Sequence, residues 1–395
     1  MAPPPPPLPE ELVEAILLRV PPDDPARLAR AALVCKPWRR LLSGRAFRRR
    51  FLDRHSRAPP MLGYLYNRGE APRFVPASSF RPPRAAAPDY PCRAVDARHG
   101  RVLLHSQALD FGNHAWDAMD NPLVVWDPAS GEQRELPLLP GLLRVGSWNA
   151  AVLCGVCACA AAGDADCDHR GPFLVVLVFV THDGRPSAFV YSSEAGAWSE
   201  PVPGPDGSYG IIALERGVLV GDALHFAFRG GSSVLRYELG ARELSVIRLP
   251  EACAGRGRRI VLRTAEDGGL GFAGLRKQKL HLWSREVDPD SSGSLAVGDD
   301  RNAGWAETGV IDLKTLLPRD ALSSSLHVAG FADSVDFILL GSHDGLFTID
   351  MRSLRVTKVG RHYWDEDNLP YISFCTPALG AASATEVLRA GCSND

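Results

Sequence analysis

Five segments of this 395-residue chain share one pattern: an alternating apolar strand, a tight turn and a second strand. The clearest is 124–137, where Val124-Val125-Trp126 leads into Asp127-Pro128-Ala129-Ser130-Gly131 and then Glu132 to Pro137. Segments 189–199, 235–246 and 346–356 repeat it, and a further copy begins at 280. The matched positions Trp126, Tyr191, Tyr237, Trp283 and Ile349 are separated by 65, 46, 46 and 66 residues. The short gaps equal one four-stranded propeller blade, about 40–50 residues. Each long gap holds an insertion, 160–172 and 288–304. With 61–66 and 371–376 as closing strands, the pattern predicts an all-β propeller of about six blades. Radial closure suits so many short strands, because it leaves only short, protected sheet edges.

The rest of the body agrees. Helical periodicity disappears after Ala58-Pro59-Pro60, and Pro82 to Pro91 reads as a long loop. Residues 173–180 are apolar at every position, as expected of a strand buried on both faces. That eight-residue run is the longest apolar stretch, too short for the 18 or more residues of a membrane helix. With 45% hydrophobic and 23% charged residues, the composition excludes wholesale disorder. The start lacks the basic region and apolar segment of a secretory signal, and no Asn-x-Ser/Thr sequon occurs. Nine cysteines in so long a chain do not form a disulfide scaffold, so a reducing compartment, cytoplasm and/or nucleus, is expected.

Residues 1–60 differ in kind. They carry 12 Lys and Arg against 6 Asp and Glu, a basic head on a mildly acidic body. Pro3 to Pro7 favours an extended leader, 1–7. Helical signals follow. Pro9, Glu10 and Glu11 suit a helix start. Leu12, Ile16 and Val20 recur every four residues, broadened by Leu8, Ala15 and Leu18, and Pro21-Pro22 ends the helix. Asp24 is placed to cap a second helix from Pro25 that carries Leu28, Ala31, Ala32 and Cys35 inward. Trp38, Leu41 and Leu42 form the apolar face of a third, and 46–52 adds a further turn or two. Three short helices bury too little surface to stand comfortably alone.

The string Leu8-Pro9-Glu10-Glu11-Leu12, then Ile16-Leu17, Val20-Pro21-Pro22, Leu28 and Leu33-Val34-Cys35-Lys36-Pro37-Trp38-Arg39 resembles an F-box in order and spacing. The resemblance implies that 8–52 docks onto the Skp-family adaptor of an SCF ubiquitin ligase, and through it onto a cullin. It assigns adaptor contact to Leu8, Pro9, Leu12, Ile16, Leu17, Val20, Pro21, Leu28, Val34, Cys35, Trp38 and Leu41. The physical reading points the same way: these helices carry more apolar surface than they can hide among themselves. Trp38 is the best single anchor, since buried aromatics dominate interface energies. The body, 61–380, is similar to the kelch-like, F-box-associated propellers of grass proteins. It has their Trp-Asp-Pro hairpin at 126–128, a Cys/Asp/His-rich loop at 154–169, and Asp267-Gly268-Gly269-Leu270-Gly271-Phe272-Ala273-Gly274. Residues 381–395 form a tail.

Other chemistry is weakly supported. Cys154, Cys157, Cys159, Cys167 and His169 are dense enough to suggest zinc, but the second half offers only Cys167 and His169, one residue apart. No metal is expected. Gly269 to Gly274 fits G-x-G-x-x-G, but a strand-like run follows it rather than a helix, which indicates close backbone packing. Ser342-His343-Asp344 is contiguous and reads as a turn. The run Arg45, Arg48, Arg49, Arg50, Arg54 and Arg57 surrounds Phe47 and Phe51 at helical spacing, so core packing is expected rather than nucleic acid. The arginines themselves are expected over the acidic body or against an acidic adaptor. Trp116, Trp148, Tyr209 and Trp305 are candidate target anchors or, more simply, blade packing. No catalytic constellation and no cofactor motif is found. The expected function is a non-catalytic substrate receptor of a ubiquitin ligase, with no membrane partner; a scaffold that does not engage the ligase is the alternative.

Overall fold

The computed structural model describes residues 8–55, 59–67, 70–82, 88–106, 121–139, 145–155, 171–207, 209–251, 259–285, 304–322, 326–332, 336–360 and 368–373. The leader, the tail, Arg57, Trp116, Cys157, Cys159, Cys167 and His169 lie outside them. An all-α unit precedes a six-bladed β-propeller, as the sequence predicts.

The helical unit contains α1 (Glu10–Leu17), α2 (Pro25–Val34), α3 (Lys36–Ser43) and α4 (Arg45–Arg54). Its core is Val13, Leu17, Leu28, Ala31, Ala32, Leu42, Phe47 and Phe51, with Leu18, Val20, Trp38 and Leu41 packed partly against it. Phe47 and Phe51 stack with centroids 6.0 Å apart, so the expected core role of this pair holds. Side chains of this size each contribute roughly 1.5–3 kcal/mol when fully buried. The phase of α1 divides its apolar residues between two faces. Val13 and Leu17 face inward, while the Leu8, Leu12 and Ile16 line faces solvent. Cys35 departs from the sequence reading: it is the extended junction between α2 and α3 and is exposed, not inward. Polar contacts tie the ends together. Arg50 bonds Glu14 at 2.6 Å, and His55 Nε2 lies 3.2 Å from the Leu18 carbonyl. Arg50 therefore pairs within the helical unit rather than over the body.

Asp24 does not cap its own helix. Its carboxylate accepts a hydrogen bond from the Ser79 hydroxyl at 2.6 Å and pairs with Arg27 at 2.7 Å. The Ser79 oxygen in turn accepts the Ala26 N–H at 3.3 Å. A residue of the propeller thus supplies the cap that satisfies an orphan amide of α2, which fixes the helical unit to the body at that point.

In the propeller, β1 (Met61–Tyr66) and β2 (Arg73–Pro76) come first. Blade 1 is β3 (Cys92–Arg98), β4 (Arg101–Ser106), β5 (Leu123–Trp126) and β6 (Gln133–Glu135). Blade 2 is β7 (Val145–Cys154), β8 (Phe173–Thr181), β9 (Pro186–Ser192) and β10 (Ala197–Trp198), with β11 (Val202–Pro203) also on β9. Blade 3 is β12 (Val218–Val220), β13 (Ala223–Ala227), β14 (Ser233–Glu238) and β15 (Glu243–Arg248). Blade 4 is β16 (Ile260–Thr264), β17 (Leu270–Arg276), β18 (Lys279–Arg285) and β19 (Trp305–Asp312). A 3-10 turn at Leu313–Thr315 and α5 (Arg319–Leu322) lead to blade 5: β20 (His327–Ala332), β21 (Phe337–Ser342), β22 (Gly345–Asp350) and β23 (Val356–Gly360). Blade 6 joins the two ends of the ring, because β24 (Asn368–Ile372) pairs antiparallel with β1, and β1 with β2. The closing strand begins at Asn368, three residues before the predicted start, and ends at Ile372.

Each of the six gaps between neighbouring blades holds its own apolar cluster. β8 shows why its sequence is apolar throughout. Val175, Leu177 and Phe179 pack toward blade 1, while Val176, Val178 and Val180 pack toward blade 3. The five repeat markers all fall on the third strand of their blades, on β5, β9, β14, β18 and β22. Five residues beyond four of them the backbone is left-handed: Gly131 (φ 81), Gly196 (φ 65), Arg242 (φ 55) and Leu354 (φ 55). The Gly131, Gly196 and Leu354 N–H groups each donate to the carbonyl four residues earlier at 2.8 Å. One hairpin turn therefore recurs around the ring.

Asp96, on β3, is fully buried and stitches three blades. It accepts from Arg98 Nε at 3.0 Å, from Arg216 Nε at 2.8 Å just before β12, and from the Val152 N–H at 2.9 Å on β7. Arg98 also donates to the Gly217 carbonyl. Burial alone would raise the Asp96 pKa; Arg98, Arg216 and the Val152 amide outweigh it and hold the carboxyl below its usual range.

Two outcomes follow. Replacing Asp96 by Ala strands a buried guanidinium, and the expected loss is about 3–5 kcal/mol in denaturant unfolding. Because the folded pKa lies below the unfolded value of about 3.9, Asp96's stabilisation is complete above that pH and is lost as pH falls through the folded pKa. Asp96→Asn should therefore flatten the acid limb of the stability profile. At the hairpins, Leu354→Gly relieves a left-handed backbone that costs a side-chain-bearing residue roughly 1–2 kcal/mol. Part of that gain is offset by glycine's entropy, so a net increase of roughly 0.5–1 kcal/mol is expected by thermal unfolding. Gly131→Leu should have the opposite sign.

Candidate partner-binding surfaces

The first surface is the outward line of α1. Residues spaced by four lie above one another on a helix, and Leu8, Leu12 and Ile16 are 59%, 52% and 57% exposed. Leu33 and Val34, at the end of α2, are exposed as well. These five make up the majority of the nine large exposed hydrophobics among the described residues; the others, Leu138, Ile211, Val310 and Leu354, are scattered over the propeller. Such a concentration marks an interaction surface rather than ordinary surface composition.

The other residues assigned to adaptor contact divide by burial. Pro9, Pro21 and Cys35 are exposed. Val20, Trp38 and Leu41 are half-buried, each with part of its surface against the helical core. Leu17 and Leu28 are inside that core, at 5% and 1% exposure, and are corrected from contact residues to supports of the outer line. Periodicity could not make this distinction, because Leu12, Val13, Ile16 and Leu17 are all apolar and fit either phase of the helix.

The second surface is the central channel. Arg93, Glu215, Arg216 and Asn368 are among the residues lining a cavity between the inner strands. Its lining comes from β3, β16, β20 and β24 and from the segment just before β12. The helical unit joins the propeller beside the end of β24, where the Ser373 N–H donates to the Pro60 carbonyl at 3.3 Å. Charges around the channel are paired: Arg259 with Glu215, and Arg216 with Asp96.

The motifs singled out by sequence resolve into structure. Gly271 lies within β17, and a Cβ there would come 2.7 Å from the Trp283 carbonyl oxygen, so the glycine serves close strand packing. Ser342 and Asp344 flank the turn from β21 to β22, with the Asp344 N–H on the Ser342 hydroxyl at 3.2 Å. Trp148 is buried edge-on to His105, and Trp305 is buried with its indole N–H on the Arg248 carbonyl at 2.9 Å. Tyr209 is half-buried and stacks on Phe228 with centroids 6.0 Å apart. These three are blade packing. Cys154 ends β7 fully buried, and its N–H donates to His99 Nδ1 at 3.2 Å. Burial pushes the Cys92 thiol up to about 12, so that residue acts as a small hydrophobe.

Comparison with known proteins agrees with this architecture. A family model described as F-box-like matches residues 7–53. A second, described as F-box protein AT5G49610-like, beta-propeller, matches residues 95–373. No curated protein matches the chain. Among solved structures, the PQQ-bound aldose sugar dehydrogenase from Streptomyces coelicolor is 15% identical, covering 78% of this chain and 86% of its own, with a TM-score of 0.36. A chain of the nidogen/laminin complex is 8% identical, covering 80% and 99%, with a TM-score of 0.41. With the propeller model spanning more than half of its length and the F-box-like model covering the helices before it, the chain belongs to the plant-type F-box proteins that carry an AT5G49610-like β-propeller.

Proposed function

We propose that the chain is the substrate-recognition subunit of an SCF-type ubiquitin ligase. The outward line Leu8, Leu12 and Ile16 docks on a Skp-family adaptor, with Pro9, Val34, Cys35 and the exposed part of Trp38 around it. The adaptor links the chain to a cullin, and the propeller holds a target protein. The observation that carries this reading is an apolar helix face left uncovered in a unit that matches the F-box-like model. An amphipathic helix laid on a partner's groove is the standard way to cover such a face.

The chain's contribution is positional. It performs no bond-breaking step; it raises the effective concentration of a target beside the ubiquitin donor. The Ser79 cap on α2 helps to fix the orientation of the helical unit relative to the propeller.

Because Leu12 and Ile16 are exposed, Leu12→Asp combined with Ile16→Asp should lower adaptor affinity at least tenfold in a titration with purified Skp-family adaptor. The unfolding temperature should stay within about a degree, as surface substitutions usually change little. Leu28→Ala, by contrast, should cost roughly 2–5 kcal/mol through a core cavity. Undiminished adaptor binding by the double aspartate variant would overturn the proposal.

A further inference from the structure

The crevice between blades 3 and 4 contains a group of cationic and polar side chains that the adaptor and channel surfaces do not use. In blade 3, His225 on β13 is paired in register with Arg236 on β14, and Arg236 with Ser245 on β15. Residues directly opposite in an antiparallel sheet project to the same face. That face is the one that packs on blade 4, because Ala227, Val234 and Ile247, two positions away on the same strands, belong to the blade 3–4 core. From the other side comes Arg285, at the end of β18. It is paired with Trp305, which is in the same core. The three blade 3 side chains and Arg285 thus converge on one crevice.

Their electrostatics are unbalanced. Arg236 bonds Glu238 at 2.7 Å. No ion pair joins Arg285 to any described residue. Burial, then the nearby Arg236, push the Arg285 guanidinium below its ordinary pKa. His225 is buried, and its Nδ1 has no hydrogen-bond partner among the described residues; the same holds for the sealed Ser245 hydroxyl. Burial first, and the positive fields of Arg236 and Arg285 after it, depress the His225 pKa to about 4, so the imidazole is neutral at physiological pH. The nearby carboxylates on the blade 3 face are Glu238, paired with Arg236, and Glu243, opposite Glu238 on β15. Buried polar atoms are nearly always satisfied, so the unsatisfied Ser245 hydroxyl, on the same crevice as an Arg285 that no described ion pair engages, calls for an anionic acceptor. The Arg236 side chain keeps 29% exposure.

We propose that this crevice is a binding site for a phosphate-type oxyanion, held by Arg285 and Arg236 with Ser245 donating its hydroxyl. This does not depend on the ligase reading.

The test uses the full chain, isothermal titration with inorganic phosphate at constant ionic strength in chloride, and thermal unfolding on the same samples. The wild type should show saturable one-site binding and an unfolding temperature that rises with phosphate as mass action requires. Arg285→Gln removes the repulsion with Arg236, so it should raise the unfolding temperature without phosphate while weakening phosphate binding at least tenfold. Ser245→Ala, a milder change, should weaken binding severalfold with an unchanged fold by circular dichroism, and it carries the test if Arg285→Gln does not fold. Arg352→Gln, on an exposed turn of blade 5, should bind as the wild type does. O-phosphoserine tighter than inorganic phosphate would assign the oxyanion to a phosphorylated ligand, and the reverse order to the free ion; both support the site. Absence of saturable binding by the wild type, or equal binding by the folded crevice variants, would overturn it.

Discussion

The structure depends on a geometric constraint: each sheet is apolar on both faces and must be covered on both. A single four-stranded sheet cannot satisfy this, and an open row of sheets leaves two bare faces at its ends. A closed ring leaves none. The pairing of β24 with β1 makes that closure, bringing the last described strand of the chain beside the first strand of the propeller. Among the described residues, the gap between blade 5 and this closing blade has the smallest of the six inter-blade clusters: Tyr64, Tyr66, Ala329, Leu339 and Leu346. The two tyrosines compensate with size, as Phe does in other gaps.

Closure also determines where function can reside. Strand faces are consumed by packing, so what remains for partners is the channel, the loops at either end and whatever precedes or follows the ring. The helical unit enters at the end where the ring closes. Its own small core takes Val13, Leu17 and Leu28, and among the described residues none covers Leu8, Leu12 and Ile16. Buried charge plays a different part. Asp96, with Arg98, Arg216 and the Val152 amide, joins three blades. The crevice between blades 3 and 4 is the contrasting case, where no ion pair joins Arg285 to a described residue.

Much of this was legible in the sequence, for physical reasons. In blades 1, 2, 3 and 5 the marker on the third strand is buried and followed by a tight turn, so Trp126, Tyr191, Tyr237 and Ile349 stand out against polar turns. Fourth strands such as Gln133–Glu135 are exposed at every residue and carry no pattern to find. The short β2 was missed because only one of its four residues, Phe74, is aromatic and none is fully buried. The phase of α1 was ambiguous because apolar residues occupy both faces of an eight-residue helix. Asp96, Ser79 and the Arg236–Arg285 group had no local signal. Each acquires its role from partners between about 50 and 120 residues away, or from a neighbouring blade, so only the folded ring reveals it.

The central claim is that the line along α1 is a docking face and the ring behind it a preformed platform. Hydrogen–deuterium exchange on the full chain, with and without a Skp-family adaptor, tests it most directly. The account predicts added protection confined to residues 10–17 and 33–38, with the blade amides unchanged. Protection that appears in the blades and leaves α1 exchanging at its free rate would contradict it.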